Sequence, residues 1–516
     1  MLNIILHNGG LKVLMGNNRR LGAFLSYVYM VVNVVVLLIY VPVLLNTIGK
    51  EEYGIYQLIG SIMAYVISIN GVLSAGVGRY YCKFLAEGQF DKAENTLAIS
   101  RRLYGILSII ALVLVGVLTV FFRKAYSGSF SDTQINECAA MLFILGINTV
   151  VTMSNSISIA AITAYERFAF LKLSSLVVVV VQPFLVIILT TIYPRALTVA
   201  LVVLAMNLAC SFAQGLYRKF VLKVGRNYYG WDSKLAKSLL GFGGAIMMAT
   251  IADQIFWKTD QLIVGYLFGA SSVAVYAIGA QIYQVYMNLG SAAGAVFLPR
   301  VSELYHKNHD LKGISDLFIR FGRLNCILLL YILGSFALFG QEFIQLWVGD
   351  GFFDSYLVAL IVMVPFTIDL IQNLGLTILQ VTNQYYFRGF IYLFIAIVNI
   401  FLTFALLPIF GLPGAAISTA VSMFLGNGLI MNWYYSRKVG LDVSRFWMEI
   451  CYIVFPALLA TGLTLLIYLS IPFQWGRLCH FLIGCAVYSF LYLVFEWRFG
   501  FNSYEKNLIN KVLKMH

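Results

Sequence analysis

Long apolar runs, interrupted by short charged clusters, set the pattern of this chain. Fourteen runs are long enough to cross the ~30 Å core of a bilayer as helices: residues 21–48, 53–82, 103–122, 138–163, 173–193, 196–217, 239–268, 271–300, 322–346, 356–382, 388–408, 411–436, 450–470 and 475–497. The run 239–269 departs from plain apolarity. It carries Asp253, Lys258 and Asp260 away from its ends. At 100° per residue, Asp253, Gln254, Trp257, Lys258, Asp260 and Gln261 share roughly 160° of helix circumference, with Ile and Leu opposite. A charge facing lipid near the bilayer centre costs about 2.5–3.5 kcal/mol on insertion scales. This helix is therefore expected to turn its polar side to protein or to a wet cavity.

The composition agrees with an all-α polytopic membrane protein: 61% of the 516 residues are hydrophobic and 11% charged. In a soluble protein the net charge of +13 would point to nucleic acid. Here it reads as the basic bias of inner loops. With the N-terminus placed inside, 29 of the 35 Lys and Arg fall on the inner side. Five, Lys50, Arg123, Lys124, Arg195 and Arg477, fall outside, and Lys258 lies within the membrane. That skew predicts both termini in the cytoplasm and short outer loops. Lys12, Arg19 and Arg20 precede a long run rather than a short one, so no cleavable signal peptide is expected. The seven Cys form no CxxC pair and read as buried thiols.

Residues 218–237, RKFVLKVGRNYYGWDSKLAK, form the longest basic linker. Phe220, Val221, Tyr228, Tyr229 and Trp231 suit a segment lying at the membrane surface or an ordinary basic loop with aromatic anchors. The clusters 79–102 and 300–323 mix charge signs and read as solvated helices. The tail, 502–516, reads as a short amphipathic cap.

The chain also repeats itself. TIGKEEYGIYQLIGSI (47–62) aligns with LFGASSVAVYAIGAQI (267–282) at an offset of 220, bringing Gly49 to Gly269 and Tyr56 to Tyr276. After one residue of slip, Arg79 meets Arg300 and Arg102 meets Arg323. Further on, at 218, Asn155 meets Asn373, Glu166 meets Gln384 and Tyr217 meets Tyr435. Six runs per repeat is an even number, so the halves share one orientation. The expected organisation is an N-terminal lobe (1–217), a basic cytoplasmic linker (218–238), a C-terminal lobe (239–436), and two further spans with a tail (437–516). Two such lobes enclose a cleft, and their rocking is a route to alternating access.

IGKEEYGIYQLIGSI, followed by GVLSAGVGRYYCKFLAEGQFDKA, resembles the opening spans of bacterial polysaccharide flippases of the Wzx type. Asp260 to Gly265, Gly269, Tyr276 and GLPGAAISTAVSMFLGNGLI resemble the second half of the same family, within the multidrug/oligosaccharidyl-lipid/polysaccharide exporter superfamily. The likeness implies transfer of undecaprenyl-pyrophosphate-linked oligosaccharide (O-antigen or exopolysaccharide units) from the inner to the outer leaflet of a bacterial inner membrane. It implies a polysaccharide polymerase, a chain-length regulator and glycosyltransferases as partners.

A pyrophosphate calls for cations, and a glycan calls for a wet polar route. The candidate substrate-binding residues are Arg79 and Arg300 at equivalent inner ends, Lys258 with Asp253 and Asp260, the stripe Asp369, Gln372 and Asn373, the mate Asn155, and Gln284. Each has a plainer alternative: basic membrane anchors for the arginines, a structural charge network for Lys258, and helix–helix hydrogen bonding for the amides. Ser61, Tyr65 and Ser68 form a further stripe on the face of Arg79. His306-x-x-His309 sits in a charged loop rather than in HExxH spacing. No P-loop or Rossmann glycine fingerprint is present, so no catalytic, cofactor or metal residues are assigned. Transport is expected to be passive or driven by H+, Na+ or the membrane potential. The rival readings are an ion-coupled exporter of cationic drugs, which Lys258 opposes, and a membrane-embedded polymerase, ligase or acyltransferase, which the short outer loops oppose.

Overall fold

The structure is a computed structural model, and it describes residues 10–225, 227–291, 294–307, 310–470 and 476–514. His309 lies outside the described residues. Among them the secondary structure is entirely helical. Among the described residues, twelve helices are long and apolar enough to cross a membrane.

Two of the twelve belong to helices of double length. Helix α1 (Gly10–Ser68) and helix α7 (Ser233–Ser291) each run 59 residues and each bend once. The bends fall at Gly49 (φ 84°, ψ 168°) and Gly269 (φ 76°, ψ −176°). This backbone region is essentially closed to residues with a Cβ, so glycine is required at both bends. The offset between them is the 220 residues of the sequence repeat.

Packing divides the chain into two compact units, Met1–Ala274 and Val275–His516. In the first, α2 (Gly71–Ala86), α3 (Phe90–Ala125), α4 (Asp132–Ala164), α5 (Phe168–Ile192) and α6 (Ala196–Leu216) follow α1. Helix α1 packs on α5, α3 on α4, and α4 on α6. In the second unit the long helices are α9 (Leu311–Val348), α10 (Phe353–Ile371), α12 (Tyr385–Phe410), α15 (Val443–Ser470) and α16 (Arg477–Phe495). Between them lie the shorter α11 (Leu374–Val381), α13 (Leu412–Met423) and α14 (Met431–Tyr434), and α8 (Leu298–Ser302) precedes α9. Here α9 packs on α10, and α10 on α13. These pairings repeat those of α3 with α4 and α4 with α6, as duplicated bundles require.

The last two spans, α15 and α16, pack on α9. Residues 503–514 form α17 (Ser503–Lys514), the helix expected in the tail. A buried arginine ties these parts together. Arg323 on α9, 2% exposed, donates Nε and Nη2 to the Glu505 carboxylate at 2.7 and 2.8 Å. Its Nη1 donates to Glu449 Oε2 at 2.9 Å and to the Glu449 carbonyl at 2.8 Å. The Gly500 carbonyl takes the remaining Nη2 bond at 2.7 Å. All five guanidinium N–H bonds are thereby used.

Two spans that the pattern drew as single helices are broken. The second changes from α1 to α2 at Ile69–Asn70, where Ile69 N bonds Val66 O and Asn70 N bonds Ile67 O. The tenth changes from α10 to α11 at Gln372–Asn373, where Gln372 N bonds Asp369 O and Asn373 N bonds Leu370 O. Three-residue bonds overwind the chain locally and change which residues share a face. Ser61, Tyr65 and Ser68 therefore do not continue into Arg79 on one helix, and of the stripe Asp369, Gln372 and Asn373 the two amides sit at the break itself.

Candidate functional site

In the first unit the polar side of the seventh span is turned inward against the second span. Ser61 Oγ donates to Gln261 Oε1. The Tyr65 hydroxyl lies 2.7 Å from Thr259 Oγ1 and donates to the Gln254 carbonyl at 3.2 Å. Tyr126, just beyond α3, donates to the Leu262 carbonyl at 2.9 Å. Asp260 and Gln261 are each 3% exposed, whereas Asp253, seven residues earlier, is exposed. The two aspartates thus occupy different surroundings despite their shared helical face. Lys258 is half-buried between them, and among the described residues it has no ion-pair partner. Within a span long and apolar enough to cross a membrane, a charged side chain is costly unless a polar cavity or ligand receives it.

Arg79 is exposed on α2, with its guanidinium 4.6 Å from the centroid of the Phe242 ring. Such an arrangement leaves the donors at the guanidinium edge directed away from the ring. Asn155 on α4 donates to Gln214 Oε1 at 2.8 Å, and Gln214 passes the chain on to Ser174 Oγ at 2.9 Å. Asn155 therefore joins three helices.

The second unit contains a matching amide bridge. Gln372 Nε2 donates to Asn432 Oδ1 at 3.2 Å. Its partner Asn432 is 218 residues after Gln214, so the bridge recurs at the repeat spacing. Asn373, aligned with Asn155 by sequence, instead donates to the Ser291 carbonyl at 3.2 Å. Gln284 is half-buried on α7. Arg300 is exposed and paired with Glu303 at 2.7 Å, both side chains being open to solvent. A ligand anion would have to compete with that carboxylate, although an exposed pair of this kind is weak.

Asp369 has a partner that pattern reasoning missed. Arg388, on the first turn of α12, approaches it to 3.7 Å. Arg388 also donates to the Tyr392 hydroxyl at 3.2 Å and stacks on the same ring at 4.8 Å. A lone arginine near a span end reads as a basic anchor, and its partner lies across the break at Gln372–Asn373. A search for opposite charges on neighbouring spans would have found the pair.

The molecule is therefore a multi-pass helical membrane protein with duplicated bundles, a half-buried lysine within an apolar span and several half-buried polar groups. Residues 43–357 match the family model described as polysaccharide biosynthesis protein, and the chain belongs to that family. It is 23% identical over 471 residues to the uncharacterized membrane protein EpsK of Bacillus subtilis (strain 168), covering 82% of this chain and 88% of that one. It is 20% identical over 406 residues to the uncharacterized membrane protein MJ1068 of Methanocaldococcus jannaschii, covering 76% and 79%. Its fold is similar to that of the lipid II flippase MurJ in an inward closed conformation, with a TM-score of 0.72 at 14% identity over 95% of this chain and 99% of that one. It is also similar to an inward-facing MATE multidrug resistance transporter of the MOP superfamily, with a TM-score of 0.66 at 13% identity over 81% and 96%.

Proposed function

We propose that this protein is a flippase for undecaprenyl-pyrophosphate-linked oligosaccharide repeat units, moving them from the inner to the outer leaflet of a bacterial inner membrane by alternating access. Membership of the polysaccharide biosynthesis family supports the glycan, and the likeness of fold to a lipid II flippase supports a lipid carrier. The observation that carries the reading is the half-buried Lys258 on the inward-turned polar side of the seventh span. It offers an intramembrane cation to a pyrophosphate.

Each double-length helix is read as two spans hinged at its glycine, which returns the fourteen spans of the sequence pattern. The lobes are 1–217 and 239–436, joined by the linker 218–238, with both termini cytoplasmic. Arg79 and Arg300 meet the pyrophosphate at entry. Asp253, Asp369 and Gln284 line the polar route, Asp260 backs it from within the packed interface, and Arg388 supplies a further cation beside Asp369. Asn155, Gln372 and Asn373 shape that route by holding their helices. The chain itself contributes no ATP site to this scheme. Glycan synthesis on one face and its consumption on the other, or an H+ or Na+ gradient, supplies the drive.

The test is export in the native host. With Lys258→Ala present at wild-type amount, surface glycan should fall and the lipid-linked precursor should accumulate. Normal export by this variant would overturn the assignment of Lys258. Resistance to cationic drugs, lost on deletion while surface glycan stays normal, would favour the multidrug-exporter reading instead.

A further inference from the structure

The basic linker is held in place by hydrogen bonds. The Glu94 carboxylate, on the first turns of α3, accepts from Gly225 N at 2.8 and 2.9 Å and from Asn227 N at 3.3 Å. Next to it, Asn95 accepts from Tyr229 N at 3.1 Å and donates to the Gly230 carbonyl at 3.0 Å. One turn and a half further along, Arg101 donates to the Gly225 carbonyl at 2.8 Å. Arg102 donates to the Tyr228 hydroxyl at 2.8 Å, with its guanidinium 3.9 Å from the centroid of that ring. Val224, Leu235 and Ala236 are buried. Backbone and small apolar groups thus face the protein.

Apart from Tyr228, which lies against Arg102, the large side chains leave much of their surface uncovered. Phe220, Val221, Tyr228, Tyr229 and Trp231 are 41–59% exposed. Lys219, Lys223, Lys234 and Lys237 are exposed as well, while Asp232 is the only acid within residues 218–237. Asp232 is engaged in capping, accepting from Lys234 N and Leu235 N at 2.9 and 3.0 Å. The height of this surface follows from the helix that feeds it. The candidate membrane span Ala196–Leu222 ends in Arg218, Lys219, Phe220, Val221 and Leu222, so the shelf begins at the end of that span. Aromatic rings with ammonium groups at that depth combine interfacial insertion with attraction for anionic headgroups.

We propose that this shelf is a binding surface for anionic phospholipid headgroups. Lys219, Lys223, Lys234 and Lys237 would draw the phosphates, and Trp231 and Phe220 would enter the headgroup boundary. Lipid preference at this loop does not depend on what the protein transports, so its failure would leave the flippase reading untouched.

The experiment uses the full chain in phosphatidylcholine nanodiscs. At equal mole fraction, one sample carries acyl-brominated phosphatidylglycerol and the other acyl-brominated phosphatidylcholine. Subtracting the emission of Trp231→Phe from that of the wild type isolates Trp231. Brominated phosphatidylglycerol should quench that signal about threefold or more over brominated phosphatidylcholine, since each basic group near the surface favours anionic lipid several-fold. The preference should vanish when Lys219, Lys223, Lys234 and Lys237 are replaced by Gln. All four are exposed, and gel filtration checks that this variant stays folded. Equal quenching by the two lipids in the wild type, absence of quenching, or a preference that survives the four substitutions would each overturn the proposal.

Discussion

Replacing Arg323 by Ala separates a buried charge network from the many surface ion pairs of this chain. The guanidinium makes two bonds to Glu505, two to Glu449 and one to Gly500, all between 2.7 and 2.9 Å. Arg323 and Glu505 are each 2% exposed. After truncation, Glu505 keeps its bond from Asn502 N at 2.8 Å but loses its only guanidinium. Removing one partner of such a pair costs about 3–5 kcal/mol, mostly because the other charge stays buried. For a unit of about 240 residues this corresponds to a Tm loss of roughly 6–20 °C. The control is Arg300→Ala. Its bond to Glu303 is as short, 2.7 Å, but the side chains are 58% and 42% exposed, so the loss should stay below about 1 kcal/mol. Thermal unfolding of the purified protein, followed by intrinsic fluorescence and size exclusion, measures both. The double variant R323A/E505A should recover part of the loss by removing the stranded carboxylate. Equal Tm shifts for R323A and R300A would refute the reasoning.

Gly49→Ala and Gly269→Ala should each cost about 1–3 kcal/mol, because both residues hold a backbone region closed to Cβ, and the same Tm assay reads it. Gly49 has open space around the added carbon, so a large loss there reports the backbone alone. Gly60→Ala, helical and likewise open, should be neutral or stabilising. Double-mutant cycles on Asn155–Gln214 and on Gln372–Asn432 should return similar couplings near 0.6 kcal/mol and below about 1.7 kcal/mol, the range for hydrogen bonds within membranes; a coupling in one bridge alone would break the equivalence of the repeats. Arg388→Ala should reduce export more than Arg388→Lys, since the lysine keeps the charge beside Asp369; equal losses would assign Arg388 a purely structural part.

The hinge glycines and the inward-turned polar side of the seventh span were legible because each has a local signature. Gly49 and Gly269 align at a fixed offset, and Gln254, Asp260 and Gln261 fall on one arc of a regular helix. The breaks at Ile69–Asn70 and Gln372–Asn373 carry weaker marks: Asn70 is followed directly by Gly71, and Asn373 by Gly375 two residues on. Neither break carries a proline, and glycine is common enough in membrane helices to pass for ordinary packing. Stripe reasoning that assumed unbroken helices placed Ser61 on the face of Arg79, which a break separates from it, and ran the stripe of Asp369, Gln372 and Asn373 across the end of α10. The Arg323 network was hidden for a different reason: Glu449 and Glu505 lie 126 and 182 residues away. At a span end, Arg323 has the same local signature as any basic anchor. The amides Asn155 and Gln372 were legible as polar groups inside spans, but only their partners Gln214 and Asn432 show that they hold helices together.

The sidedness of the lipid-linked glycan tests the proposed flippase activity most directly. In a strain lacking this protein, the undecaprenyl-linked repeat unit should accumulate in inverted membrane vesicles at sites open to a glycosidase added on the cytoplasmic face. Complementation should return it to the outer face. Unchanged access from the outer face in the deletion strain, with normal surface glycan, would contradict the account.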